Sequence, residues 1–321
     1  MAVLAGIDEA GLGPRLGPLV IGLSVFRGER SVLERLGDAL DPVVRSSARA
    51  PVPVGDSKRL FGANKNLLAL ERGLYPFAGH RLERIPRSLV DWVTTLDLPE
   101  GRARDRLHRY PWYRQPLALP RRLTREALQA ARSDLASCLA GAGVEFVEMR
   151  VGALPAGEVN DGLRRCASKN VFNFRAAAPF LRRVFEGFAR KGEPAEVVVD
   201  RQGGRKDYAA LLRAEFYPVA VRPHPPKEDE FGYTVHDDER RLEIRFRTRA
   251  DAQCLPVGLA SMAAKYTREL HMILFNRFWR ERVPDLRPTA GYPVDATRFL
   301  QDIEGTRRKA GIDPQQLVRV R

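Results

Sequence analysis

The strongest constraint in this sequence lies in its first 26 residues. Two apolar runs, Val3 to Ile7 and Leu19 to Phe26, flank two adjacent carboxylates, Asp8 and Glu9, and the glycines Gly11, Gly13 and Gly17. Each run has the composition and length of a buried strand. Successive strand side chains point to opposite faces. Asp8 and Glu9 are therefore expected to reach one site only if the strand ends or bends there, and the following glycines permit that. An acidic pair at a strand end beside a glycine-rich loop suits a hard cation and a phosphate. A solvated strand-to-turn junction has the same composition, so this stretch alone leaves both readings open.

Later carboxylates also fall at the ends of elements. Gly55-Asp56-Ser57-Lys58 precedes a helical pattern from Asn64 to Tyr75. Val197-Val198-Val199 is a continuous β-branched run, as in a parallel strand buried on both faces, and Asp200 closes it. Arg249-Ala250-Asp251 forms a turn ahead of a long helical stretch, Ala260 to Arg280. Asp200 reads as a site residue or as the polar end of a strand. Asp251 reads as a ligand, a turn aspartate or a helix cap.

Taken in order, these segments resemble the type 2 ribonuclease H family (ribonucleases HII and HIII), as a divergent member with insertions. Gly6-Ile-Asp8-Glu9-Ala-Gly11-Leu12-Gly13-Pro14 is similar to the family's opening motif, and Gly55-Asp-Ser57-Lys58 to its second. Glu196 to Asp200 resembles its central strand, and Arg249 to Asp251 its Lys-(Gly/Ala)-Asp turn. Ala260 to Glu269 resembles the Ala-Ser-Ile-(Ile/Leu)-Ala-Lys helix that follows, and Gly291-Tyr292-Pro293 the late Gly-Tyr-Pro turn. The resemblance implies an α/β fold, a ribonuclease-H-like central mixed sheet with helices on both faces, plus an inserted subdomain. Residues 1–321 are then expected to form one domain, with 80–158 an insertion or subdomain in which Val144 to Val151 reads as a strand, and a hairpin at 231–247 decorating the core.

As to function, the resemblance implies a two-metal-ion endonuclease that hydrolyses the RNA strand of RNA–DNA hybrids. Asp8, Glu9, Asp200 and Asp251 would be the catalytic and metal-binding residues, holding two Mg²⁺ or Mn²⁺ ions. Clustered carboxylates repel one another without cations, and two ions roughly 4 Å apart clamp an in-line phosphoryl displacement. Gly11, Leu12, Gly13, Arg15, Ser57, Lys58 and Lys265 would face the substrate. Leu12 departs from the Gly-Arg-Gly of ribonuclease HII; backbone donors survive that change, whereas a charged phosphate contact then falls to Arg15. The family's junction-sensing tyrosine is expected in the C-terminal segment, and Gln316 to Arg321 has no clear match. Glu269 stands where the family has an aspartate that is not the usual fourth ligand, so it is the weaker candidate.

Composition supports a polyanionic partner. Fifty-four Lys and Arg against 40 Asp and Glu give a formal net charge of +14, which favours fast, salt-sensitive association with nucleic acid. Hydrophobic residues make up 44% of the chain, enough for a globular core. Three dispersed cysteines and five scattered histidines give neither a disulfide framework nor a zinc spacing. No apolar stretch reaches the length of about 18 residues that a membrane span needs. With no signal peptide evident, a cytoplasmic protein without an obligate protein partner is expected. The basic, aromatic run Tyr110-Pro-Trp-Tyr-Arg114 either stacks on nucleic acid or packs on the protein itself, and the second is expected. Two other functions stay open: a non-catalytic nucleic-acid-binding protein on this fold, and a nuclease for DNA or structured nucleic acid.

Overall fold

The computed structural model describes residues 1–62, 66–82 and 84–320. Seven strands form the central sheet: β1 (Ala2–Ala10), β2 (Leu19–Gly28), β3 (Glu145–Leu154), β4 (Ala195–Asp200), β5 (Ala220–Pro223), β6 (Glu230–His236) and β7 (Arg241–Arg247). Their order is β3-β2-β1-β4-β7-β6-β5. β1 pairs antiparallel with β2 and parallel with β4, which in turn is parallel to β7. The sheet is therefore mixed, as expected. The helices that matter for the site are α1 (Ser57–Phe61), α2 (Leu67–Arg81), α3 (Arg125–Gly141), α4 (Ala156–Arg164), α5 (Lys169–Phe188), α6 (Ala209–Phe216), α7 (Ala250–Gln253), α8 (Leu255–Arg280) and α9 (Pro293–Lys309). Asn64, where the first long helix was expected to start, and Arg321 lie outside the described residues.

Helices cover both faces because alternate residues of each central strand are apolar on both sides. On one face, Ala5, Ile7, Ile21, Leu23, Val197 and Val199 pack with Phe174, Ala177, Leu181 and Val184 of α5. On the other, α8 crosses β1 and β2 at close range. A Cβ on Gly6 would collide with the Pro256–Val257 backbone, and one on Gly22 with the Ala260 carbonyl. Ser24 Oγ donates to the Pro256 carbonyl at 2.7 Å. Two strand glycines thus act as the seat for a helix. α2 and α3 share the core on this side with α8.

Two expectations about organisation need correcting. Residues 80–158 are not one insertion, because their last strand, β3, pairs with β2 along its length. Residues before it also belong to the main core: Tyr75, Trp92 and Tyr266 form one ring cluster, with centroids 5.1 to 6.1 Å apart. The fully buried Glu71 accepts N–H groups from Arg121, Arg122 and Leu123 and the Tyr266 hydroxyl. The 231–247 hairpin is not a decoration either, since its second strand, β7, runs parallel to β4 inside the sheet. In both cases the local pattern reads correctly as a strand, and the partner is distant in sequence. Tyr110, Trp112 and Tyr113 are buried, with Trp112 against Phe275 and Phe278 and Tyr113 against His271, so this run packs on the protein. Among the described residues no helix is long and apolar enough to cross a membrane.

The seat beneath α8 yields a direct test. Gly22→Ala is expected to cost about 1–3 kcal/mol by overpacking, read as a lower urea midpoint at unchanged m-value. A loss under roughly 0.5 kcal/mol, the ordinary scatter of surface changes, would contradict the close approach.

Candidate functional site

β1 does not stop at Asp8. It stays paired with β2 as far as Ala10, with Asp8 opposite Gly22 and Glu9 opposite Ile21. The strand neither ends nor bends between the two carboxylates, contrary to expectation, and they leave it on opposite faces. Asp8 points to the α8 side, where Ser261 and the Glu9 N–H favour its ionised form. The Glu9 N–H reaches Asp8 Oδ1 at 2.7 Å. Glu9 points to the α5 side, towards the buried Asn173.

What unites them is the end of β4. Ile7 is in register with Val199, and β4 stops at the next residue, Asp200. Asp8, Glu9 and Asp200 therefore meet around a strand end, close enough to repel one another. Asp200 Oδ1 accepts the Ala250 N–H at 2.8 Å, which ties the β4 end to the turn carrying Asp251. Arg249 in that turn has φ of 56°, a left-handed backbone that non-glycine residues seldom adopt. Asp251 raises the pKa of Asp200, so all four expected carboxylates fall in one electrostatic group.

Burial is the first cause of every shift in this group. Burial, then Glu9 and Asp200, hold the Asp8 carboxyl well above the usual carboxylate range. Burial and Asp200 push Glu9 up to about 7. Burial, with Asp251, pushes Asp200 up to about 6, although the Ala250 N–H and Lys58 oppose it. Asp251 is raised by burial and by Asp56. Lys58 is the cation that opposes the rise at Glu9, Asp200 and Asp251, so it stands at the rim of the group. It is exposed on α1, whose N-terminus Asp56 caps by accepting the Lys58 and Arg59 N–H groups.

Among the described residues no three His, Cys, Asp or Glu side chains close into a metal cage. The straddled strand explains this, because Asp8 and Glu9 approach from opposite faces. The donor chemistry still fits a hard divalent cation: the carboxyls supply oxygen donors only, and they are clustered where burial and mutual repulsion oppose ionisation, a cost that a bound cation would offset.

The expected substrate-facing residues divide. Gly11, Leu12, Gly13 and Arg15 form the loop after β1, with Gly13 exposed and Gly11 at φ of 91°. Gly291 accepts the Arg15 and Leu16 N–H groups at 2.7 and 3.2 Å. Tyr292, 52% exposed, therefore stands beside the glycine loop. The aromatic at this loop comes from the Gly-Tyr-Pro turn, not from the C-terminal segment. Ser57 is buried and its hydroxyl is 2.9 Å from that of Ser261, so the side chain turns inward and braces α1 against α8. Lys265 also departs from expectation. Its Nζ binds Glu269 at 2.7 Å and lies 4.5 Å from the Phe61 ring centroid. Glu269 is further held by Arg268 at 3.1 Å, which accounts for its charge without a metal.

Three neighbours of the site were not singled out from the sequence. Ser261 lies inside the small-residue stretch of α8. Asn173 is a polar residue in the buried run Phe172-Asn-Phe174, and neither amide atom completes a well-formed hydrogen bond. Arg319 is buried beneath the glycine loop. A polar residue amid apolar neighbours is the one signal that Asn173 gave.

No protein-family model and no curated protein matches the chain. Solved structures of ribonucleases HII and HIII are similar across nearly its whole length, at low identity. A ribonuclease H2 from Pyrococcus horikoshii OT3 is 18% identical, with a TM-score of 0.45, over 98% of this chain and 92% of its own. A ribonuclease HII from Archaeoglobus fulgidus, solved in complex with PCNA, is 16% identical, with a TM-score of 0.43, over 99% and 94%. Bst ribonuclease HIII, solved with Mn²⁺, is 12% identical, with a TM-score of 0.43, over 99% and 66%.

The raised carboxylates make stability depend on pH. A carboxyl that holds its proton more tightly when folded costs stability as pH climbs from its unfolded value, near 4, to its folded one. The Glu9 part of the penalty is complete above about 7, and Asp8, also raised, adds to it. Mg²⁺ is therefore expected to raise Tm by a few degrees at pH 8 and hardly at pH 5. Asp8→Asn is expected to raise the metal-free Tm at pH 8 and to lose most of the Mg²⁺ response. Thermal unfolding at both pH values checks this, and an equal Mg²⁺ response in wild type and Asp8→Asn would contradict it.

Proposed function

We propose that this chain is a divergent type 2 ribonuclease H, a metal-dependent endonuclease that hydrolyses the RNA strand of RNA–DNA hybrids. One observation carries the reading: Asp8 and Glu9, Asp200, and Asp251 come from three separate points of the sequence into one electrostatic group at the end of β4. A chain with no use for a cation gains nothing by burying that repulsion. These four residues would hold two Mg²⁺ or Mn²⁺ ions, which when bound supply an activated water and stabilise the leaving 3′ oxygen.

The chain's own residues supply the rest. Lys58 at the rim attracts the phosphodiester towards the carboxylates as a point charge. The glycine loop presents backbone at close range to the ribose, where a 2′-hydroxyl distinguishes RNA from DNA. Tyr292 offers an exposed ring for stacking beside that loop. By resemblance, the products would carry 5′ phosphate and 3′ hydroxyl ends. The net charge of +14 supports a polyanionic substrate. We take residues 1–321 as a single ribonuclease-H-like domain in which parts of 80–144 are added to the core.

A second reading, a nucleic-acid-binding protein without catalysis, is favoured by the open arrangement of the carboxylates, which form no closed cage among the described residues. Cleavage assays on a hybrid, a duplex with a single ribonucleotide and plain DNA separate these readings. Hybrid cleavage in Mg²⁺ that stops with chelator supports the first. Tight, salt-sensitive binding without cleavage in Mg²⁺ or Mn²⁺ supports the second, and cleavage of DNA alone would move the substrate assignment.

Within the first reading, Asp8→Asn is expected to abolish cleavage and Asp251→Asn to remove most of it in Mg²⁺, with partial rescue by Mn²⁺. Glu269→Gln is expected to cost less than about tenfold, because the residue's partners are Lys265 and Arg268. Wild-type rates for Asp251→Asn with a dead Glu269→Gln would reverse the assignment.

A further inference from the structure

Arg319 lies far from every sequence segment that suggested the site, yet it forms the floor of the glycine loop. Its Nε and Nη2 donate to the Gly17 carbonyl at 2.9 and 2.6 Å, and its Nη1 donates to the Gly11 carbonyl. Its own N–H donates to the Arg15 carbonyl at 2.9 Å. One residue thus holds the loop at its start, middle and end. The segment around it is anchored in turn, because Asn160 of α4 donates to the Gln315 and Val318 carbonyls and accepts the Val320 N–H, each at 2.8 Å.

The arginine is 5% exposed, and no side-chain carboxylate of the described residues pairs with it. Another cation, Arg268, acts on it across the loop floor and is itself committed to Glu269 and to the Ala290 carbonyl at 2.8 Å. A buried cation answered only by carbonyl oxygens is costly to keep. Here it serves two ends. The planar guanidinium spans two carbonyls at once, which an ammonium does not. Its charge also sits under a loop whose outer side faces solvent at Gly13, where an anion would offset it.

We propose that Arg319 is a positioning residue for substrate: it locks the Gly11–Gly17 backbone in the shape that receives a phosphodiester and supplies positive potential from below. This rests on the nuclease reading for the identity of the substrate, whereas the loop bracing stands on geometry alone. It requires no contact between Arg319 and the substrate and assigns it no role in bond cleavage.

The test uses the full chain with Arg319→Lys and Arg319→Met. The readouts are amide hydrogen exchange at Gly11–Gly17, Tm with and without Mg²⁺, and KM and kcat on an RNA–DNA hybrid. Both variants are expected to exchange faster at the loop while keeping the Mg²⁺ response, because the carboxylates are untouched. Losing hydrogen bonds to a charged donor is expected to raise KM by about tenfold or more in Arg319→Met, with kcat within about threefold. Arg319→Lys, which keeps the charge and loses the bidentate grip, is expected to fall between. Unchanged loop exchange in both variants overturns the bracing. Faster exchange with unchanged KM overturns the role in substrate binding. A fall in kcat and in the Mg²⁺ response without a change in KM also overturns it, since that marks damage to the carboxylate group. A wild type that neither binds nor cleaves hybrid overturns the substrate reading, and the exchange data then report separately on the brace.

Discussion

Four carboxylates gathered at the end of one strand repel each other, and the surrounding fold is arranged to keep them there. Asp8 and Glu9 are fixed by unbroken pairing of β1 to β2, and Asp200 by the parallel pairing of β4 to β1. Asp251 is held indirectly, through the Ala250 N–H on Asp200. Lys58 brings opposing charge to three of them. Stability is spent to keep these charges together, which is the usual mark of a functional site.

The helix α8 makes that arrangement possible. Its first turns rest directly on Gly6 and Gly22, so Ser261 arrives beside Asp8 and beside Ser57 of α1. The second motif, with Lys58, is thereby carried to the rim. The same helix continues to Arg268 and Met272, which line the inner side of the glycine loop where a Cβ at Gly11 or Gly17 would collide. One close-packed contact thus sets the position of the acidic group, its cation and the loop together.

Much of this was legible in the sequence, and the reasons are local. The β-branched run before Asp200 and the apolar run before Asp8 are strand patterns that need no tertiary information, and both carboxylates stand at the site. What escaped depended on distance. β3 and β7 read as strands, but their sheet partners, β2 and β4, lie far off in the chain. Arg319 touches Gly17 across 302 residues, and no periodicity encodes such a contact. Ser57 and Lys265 were misread because the motif gives residue types without orientation: one turns inward to Ser261, the other to Glu269. The relation between Asp8 and Glu9 was misread for the opposite reason. Alternation was the sound rule, and the meeting of the two groups is achieved by ending the neighbouring strand, not by bending their own.

The claim on which everything else turns is that this carboxylate group is a divalent-cation site. Electron paramagnetic resonance of Mn²⁺ titrated into the protein at pH 8 measures it without reference to substrate. The account predicts that wild-type protein removes free Mn²⁺ signal at a stoichiometric ratio and that Asp200→Asn, still folded, removes far less. Equal free-Mn²⁺ signals in wild type, Asp200→Asn and buffer would contradict it.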